Sequence, residues 1–156
     1  MSSPETRLKE LDLVLPTAPK PGGVYTPVVI VNGIAWVSGH GPLQPDGSMI
    51  RGKVGETLTE EEAHAAARVT GLAILATLRD QLGSLDRIAR VVKVLGMVNA
   101  VPTFDAHPRV INGFSNLMVE IFGEELGRGA RSAVGMGSLP GNIAVEVEAA
   151  FLLHEE

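Results

Sequence analysis

Between Arg131 and Ala149 the chain reads Arg-Ser-Ala-Val-Gly-Met-Gly-Ser-Leu-Pro-Gly-Asn-Ile-Ala-Val-Glu-Val-Glu-Ala, an arginine and then, past a Gly/Pro-rich turn, two carboxylates. A guanidinium holds a carboxylate through a planar fork, and a carboxylate can orient water and move its proton. Glu146 and Glu148 alternate with valines, so on a strand they leave by one face with Ala150, Leu152 and His154, while Val145, Val147, Ala149 and Phe151 leave by the other. If the strand of Arg131 pairs with the strand of Glu146 around the Leu139 to Asn142 turn, the two residues stand nearly opposite each other. Two readings follow: a cross-strand salt bridge, worth little if exposed, or a polar site.

Other catalytic spellings are missing. There is no His-x-x-x-His pair, no phosphate-binding Gly-x-x-x-x-Gly-Lys and no Gly-x-Ser-x-Gly elbow. The histidines at 40, 64, 107 and 154 show no ligand spacing and read as loop or surface residues, with His40, between two glycines, the best placed for a role. The absence of cysteine removes disulfides, thiolate metal sites and thiol nucleophiles together. Glu60-Glu61-Glu62 needs no functional reading, because carboxylates at a helix N-terminus complement its dipole.

The elements that must position these groups are legible from spacing. Leu8, Leu11 and Leu15 after Pro4 predict a short N-terminal helix, ended by Pro16, Pro19, Pro21 and Gly22-Gly23, so residues 1–23 form a helix and connector. Val28 to Val37 is two β-branched runs joined by Asn32-Gly33, the pair suited to a two-residue type I′ hairpin. Thr59 and Glu62 spell a capping box, and apolar residues at helical spacing run from Ala63 to Leu82 before Gly83. Ile88 to Asn99 is β-branched, with Gly96 marking a bulge or a close approach. Pro108 to Phe122 predicts a second long helix, Gly127 to Gly129 a loop, and Arg131 to Met136 and Ile143 to Leu153 two closing strands.

This ββαβαββ order predicts an α+β protein with two helices on one face of a mixed sheet. The other face, mixing Glu146 and Glu148 with Leu152, is too apolar for bulk water and too charged for a helix-packed core. It has the character of a subunit interface holding a polar site. At 156 residues the chain makes one domain, residues 1–156, large enough to bury a core without staples. Eighteen acids against thirteen Lys+Arg, a net charge of −5, disfavour a nucleic-acid surface. No run of about 18 apolar residues is present, and Met1-Ser2-Ser3-Pro4-Glu5 lacks the basic then apolar pattern of a secretory signal. The expectation is a cytoplasmic protein with no membrane partner.

Arg-Ser-Ala-Val from Arg131, Leu139-Pro140, and Val-Glu-Val-Glu-Ala from Val145 resemble the C-terminal signature of the YjgF/Rid family, the reactive-intermediate deaminases, also called L-PSP endoribonuclease-like. Tyr25 ahead of the hairpin, Val37-Ser38-Gly39, Val91 to Val94 and Val110-Ile111-Asn112 extend the resemblance over the chain from about Tyr25, in a longer branch of the family. It implies a chorismate-mutase-like protomer closing into a homotrimer with clefts between subunits. It also implies hydrolysis of amino-acid-derived enamines and imines to 2-keto acids and ammonia. Arg131 would then clamp the substrate carboxylate and Glu146 place water and handle protons, the main chain at Gly39 and Ala133 completing a pocket lined by Tyr25 and Asn112. An imine carbon is already electrophilic, so no metal, cofactor or covalent nucleophile is required. Ala133 stands where many relatives carry cysteine, and His40 where many carry glutamine. Glu148 is read as a structural companion near the interface. The alternatives are a trimeric carboxylate-binding or regulatory protein without turnover and, disfavoured by charge and the lack of a histidine pair, a ribonuclease.

Overall fold

The structure, a computed structural model, describes residues 2–155. Strands β1 (Val28–Val31) and β2 (Ile34–His40) form the expected hairpin, Asn32 and Gly33 taking φ of 50° and 73° as a type I′ turn requires. Helix α2 (Glu60–Leu82) begins at the capping box, with the Glu62 N–H donating to Thr59 Oγ1 at 3.2 Å and the Thr59 N–H to Glu62 Oε2 at 2.8 Å. It ends where Gly83 turns left-handed. Strand β3 covers Ile88–Asn99, as read from the sequence, and helix α3 His107–Phe122, starting one residue before the expected Pro108. Gly96 marks a close approach and no bulge, since a Cβ there would lie 2.6 Å from three carbons of Ile111 on α3.

Three expectations are corrected. The N-terminal helix, α1 (Pro4–Glu10), stops before Leu11. Leu11, Leu13 and Leu15 still pack on the core, but with the two-residue alternation of extended chain, which the spacing of Leu8, Leu11 and Leu15 had imitated. Between Phe122 and Arg128 the chain adds a single helical turn, α4 (Glu124–Gly127), where the expected loop begins. The third correction matters most for function.

The closing strands β4 (Ala130–Met136) and β5 (Val145–Leu153) are not neighbours, because the sheet order is β1-β2-β5-β3-β4. β3 lies between them, parallel to β4 and antiparallel to β5. The connection is too long for a tight hairpin and carries a 3-10 turn at Pro140–Asn142. Its Leu139 and Ile143 pack on Met97 of β3, so the apolar turn drapes over the end of the middle strand.

Both long helices pack on one face of this sheet, as expected. Phe114, Leu117 and Ile111 of α3 and Ile74, Leu75 and Leu78 of α2 are buried with Val145, Val147 and Phe151 of β5. The N-terminal helix is fastened behind them. Arg79 of α2 donates to both oxygens of Glu5, at 3.0 and 2.5 Å, and the Leu85 N–H donates to Glu5 Oε1 at 3.0 Å. The opposite face stays open. Register places Val29, Trp36 and Ala150 side by side on it, and Trp36 is 54% and Leu152 37% exposed. No helix among the described residues is long and apolar enough to cross a membrane.

Candidate functional site

The fold separates the residues that the sequence placed together. Arg131 lies opposite Val94, and Val94 opposite Ala149, so all three point to the helix side. Glu146 lies opposite Met97 and points to the open side. Two strand spacings and three residues of stagger put their Cα atoms about 14 Å apart, on opposite faces. The cross-strand salt bridge therefore does not exist within the protomer.

Glu146 lies in a cavity of about 330 Å³ whose walls include Tyr25, Gly39, His40, Leu43 and Ile143. The connector after α1 supplies one wall, with Pro19 and Pro21 fixing its path and the Tyr25 hydroxyl accepting from the Gly22 N–H at 3.1 Å. Gly39 permits a close approach. A Cβ there would stand 3.0 Å from Glu146 Cδ and 3.2 Å from Oε2, so the carboxylate lies directly on the glycine. Burial raises the Glu146 carboxyl above the ordinary carboxylate range, and the neighbouring negative charge of Glu148 raises it further. The raised pKa means a stronger hold on a proton, beside an accessible space.

His40 is not the loop or surface residue that its flanking glycines imply. It ends β2 past a register shift and is 5% exposed. Its Nδ1 lies 2.6 Å from the Ser38 carbonyl, which can only accept, so Nδ1 carries the proton and Nε2 accepts from the Thr77 hydroxyl of α2 at 2.8 Å. Burial holds the ring neutral by lowering its pKa, against the opposing pull of the Ser38 carbonyl. With both nitrogens engaged, His40 pins the irregular Ser38-Gly39 backbone to α2 and so sets the floor beneath Glu146. A buried histidine beside a bulge has no distinct spelling in sequence.

The second half-site lies on the helix side at the edge strand. Asn112 and Ser115 of α3 line a cavity of about 370 Å³ with Arg131, Val94 and Arg128. Arg131 Nη1 donates to Asn112 Oδ1 at 2.8 Å and Ser115 Oγ at 3.1 Å, and Nη2 donates more weakly to the Pro108 carbonyl at 3.5 Å. These bonds engage Nη1 and Nη2 and leave Nε–H without an acceptor, so the guanidinium keeps donor capacity for a carboxylate. Partial burial lowers the pKa of the guanidinium, which stays charged. Ala133 follows on the same face of β4, opposite Gly96, with its side chain against the core. Asn112 is therefore placed beside Arg131, while Tyr25 and Gly39 are placed with Glu146.

Sequence reasoning missed Arg51, Lys20 and Met49, which join the walls around Glu146, and Ser115, which helps to aim Arg131. Only Ser115 carries a signal, standing one turn after Asn112 on a helix whose apolar face points elsewhere. Among the described residues no group of three or more His, Cys, Asp or Glu is arranged to hold a metal ion.

A five-stranded mixed sheet with two long helices on one face and polar half-sites on either side defines the α+β, chorismate-mutase-like class. The family model described as "YjgF/chorismate mutase-like, putative endoribonuclease" matches residues 5–149, and the chain belongs to that family. Protein TCP17 of Trypanosoma cruzi is 42% identical over 142 residues, covering 91% of this chain and 89% of its own. The crystal structure of Atu1372 from Agrobacterium tumefaciens is similar at 40% identity and a TM-score of 0.86, covering 96% of this chain and 91% of that one. A Shewanella oneidensis structure that carries the same provisional endoribonuclease label superimposes with a TM-score of 0.92 at 32% identity, over 97% and 100% of the two chains.

Proposed function

We propose that this protein hydrolyses enamines and imines derived from amino acids, giving 2-keto acids and ammonia. The observation that carries the reading is Arg131. It is partly buried, oriented entirely by neutral groups, and without a carboxylate partner among the described residues, while its Nε–H stays free. A stationed, unpaired guanidinium suits a carboxylate that comes and goes. Glu146, raised in pKa over a walled cavity, suits the reacting end.

In the reaction, an enamine tautomerises to its imine, and water adds to the carbon of the protonated C=N as its π pair moves to nitrogen, one water proton passing to Glu146. Glu146 returns that proton to the carbinolamine nitrogen, and as the C–N bond breaks the hydroxyl yields its proton to Glu146, releasing ammonia and leaving the ketone. Arg131 holds the carboxylate through both steps. Because the two half-sites face away from each other in one protomer, Arg131 of one copy must meet Glu146 of another. A closed homotrimer that seats the β4 edge of one copy against the open sheet face of the next supplies that meeting and covers Trp36, Val134 and Leu152. Ribonuclease chemistry draws no support from His40, whose two ring nitrogens are both occupied in the interior.

The test is ammonia release from imines generated by an amino-acid oxidase, with sedimentation on the same samples. We expect a trimer, turnover in wild type, a loss of about 10²-fold or more in Glu146→Gln with 2-keto acid binding retained, and loss of binding in Arg131→Lys, whose ammonium lacks the fork. Wild-type turnover at the buffer rate with intact keto-acid binding favours a binding or regulatory protein. A stable monomer, or equal binding by Arg131→Lys, overturns the site.

A further inference from the structure

The cavity over Glu146 holds two cations that this mechanism does not use, Arg51 and Lys20. Five other arginines, at 7, 68, 79, 109 and 128, pair with carboxylates. Neither Arg51 nor Lys20 has a carboxylate partner among the described residues, although acids outnumber Lys+Arg by eighteen to thirteen. A cation left unpaired at a cavity in an acidic protein is available to an anion from outside.

Arg51 is also held in place. Its backbone bridges antiparallel to Ile143, the Gly52 N–H donates to the Asn142 carbonyl at 2.8 Å, and the Ala144 N–H donates to the Ile50 carbonyl at 3.0 Å. Buried Asn99 ties the same segments, its Nδ2 reaching the Gly52 carbonyl at 3.1 Å and Asn142 Oδ1 at 3.0 Å. The Arg51 side chain is steadied by Nε donating to the Gly141 carbonyl at 2.9 Å, which leaves the four Nη protons free. The turn that carries Arg51's partners leads directly into β5 and Glu146, so the cation and the carboxylate sit on one frame.

We infer that Arg51, assisted by Lys20 on the connector, recognises a second carboxylate on the substrate, so that the preferred substrates are imines of amino dicarboxylic acids and the products 2-keto dicarboxylates. The inference rests on the reading of Arg131 and Glu146 above. Arg131 takes the carboxylate next to the reacting carbon, and Arg51 takes the one at the far end of the side chain. Arg51 is a specificity residue here and moves no proton.

The experiment is calorimetric titration with 2-oxoglutarate and with 2-oxopentanoate, which has the same chain length and lacks the second carboxylate. The panel is wild type, Arg51→Met, Lys20→Met and Arg131→Met, each checked for folding by thermal melting. Wild type is expected to bind 2-oxoglutarate at least tenfold more tightly, although the protein's net charge of −5 works against a dianion. In Arg51→Met the ratio of the two dissociation constants falls to within about twofold of one, and Lys20→Met lowers it partway. A ratio near one in wild type, or a ratio that survives both substitutions, overturns the inference. Equal weakening of both ligands by Arg51→Met also overturns it, since Arg51 would then hold the carboxylate that the two share. Loss of both ligands in Arg131→Met separates the cases: its absence condemns the underlying site, whereas its presence with a wild-type ratio near one condemns only the role given to Arg51. If neither ligand binds wild type, both readings fall.

Discussion

Gly39→Ala is the smallest change that tests how Glu146 is placed. The new Cβ would stand 3.0 Å from Glu146 Cδ, 3.2 Å from Oε2 and 3.3 Å from Cγ. Carbon atoms rest at about 3.5–4.0 Å, so the carboxyl must withdraw by about 0.5–1 Å. The backbone itself tolerates alanine, because Gly39 is not among the residues with positive φ. The obstacle is a half-buried side chain able to rotate, so the fold should lose only about 1 kcal/mol, the low end of overpacking costs. For a chain of this size that lowers Tm by about 2–4 °C. A displacement near 1 Å at a reacting group costs up to about 10²-fold in rate, so kcat should fall by about 10- to 100-fold in stopped-flow imine decay. The loss should also disappear in company. Once Glu146→Gln has removed the proton-carrying group, adding Gly39→Ala should cost no more than about a further threefold, because the two act through one carboxylate. Gly39→Ala within twofold of wild type, or a full loss repeated on top of Glu146→Gln, would refute the argument that the glycine exists to admit Glu146.

Two further outcomes follow from the charges. The Glu146 carboxyl is raised, by burial first and by Glu148 second, so its ionised form is disfavoured in the folded protomer; the penalty appears as pH climbs past the ordinary carboxylate value and is complete above the raised one. Glu146→Gln should therefore melt higher than wild type at pH 7 and equal it near pH 4, and a lower melting temperature at pH 7 would mean that the carboxylate holds the structure together. For Glu5 burial raises the pKa, but the hydrogen bonds from Arg79 and the Leu85 N–H outweigh it and leave the value lowered, so its contribution is present above the ordinary carboxylate range and lost as pH falls through the lowered value. Discounted for a pair whose side chains are 41% and 23% exposed, Glu5→Gln should cost about 1 kcal/mol at pH 7, with the difference in Tm closing in acid; a gap independent of pH would assign the loss to packing of α1 alone.

Local chemistry made most elements legible from the sequence alone. Asn32-Gly33 admits few structures other than a type I′ turn, Thr59 with Glu62 is a self-contained cap, and the alternation from Val145 to Leu153 states which side of a strand is buried. Each is decided by residues within a few positions of one another, and each appears in the structure. The family was legible too, because Arg131 and the Val-Glu-Val-Glu-Ala run are spelled in order along the chain. The neighbour of each strand was not. Two strands joined by a short turn look like a hairpin in sequence, and only the packing of Leu139 and Ile143 on Met97 shows that the turn crosses over β3. That single topological fact moves Arg131 and Glu146 to opposite faces of the protomer. Likewise His40 and Arg51 carry no local signal, since what buries one against Thr77 and steadies the other on Gly141 comes from segments 37 and 90 residues away. Secondary structure is set by neighbours in the chain and is readable there, whereas a site made of distant segments depends on which surfaces the whole core leaves free to meet.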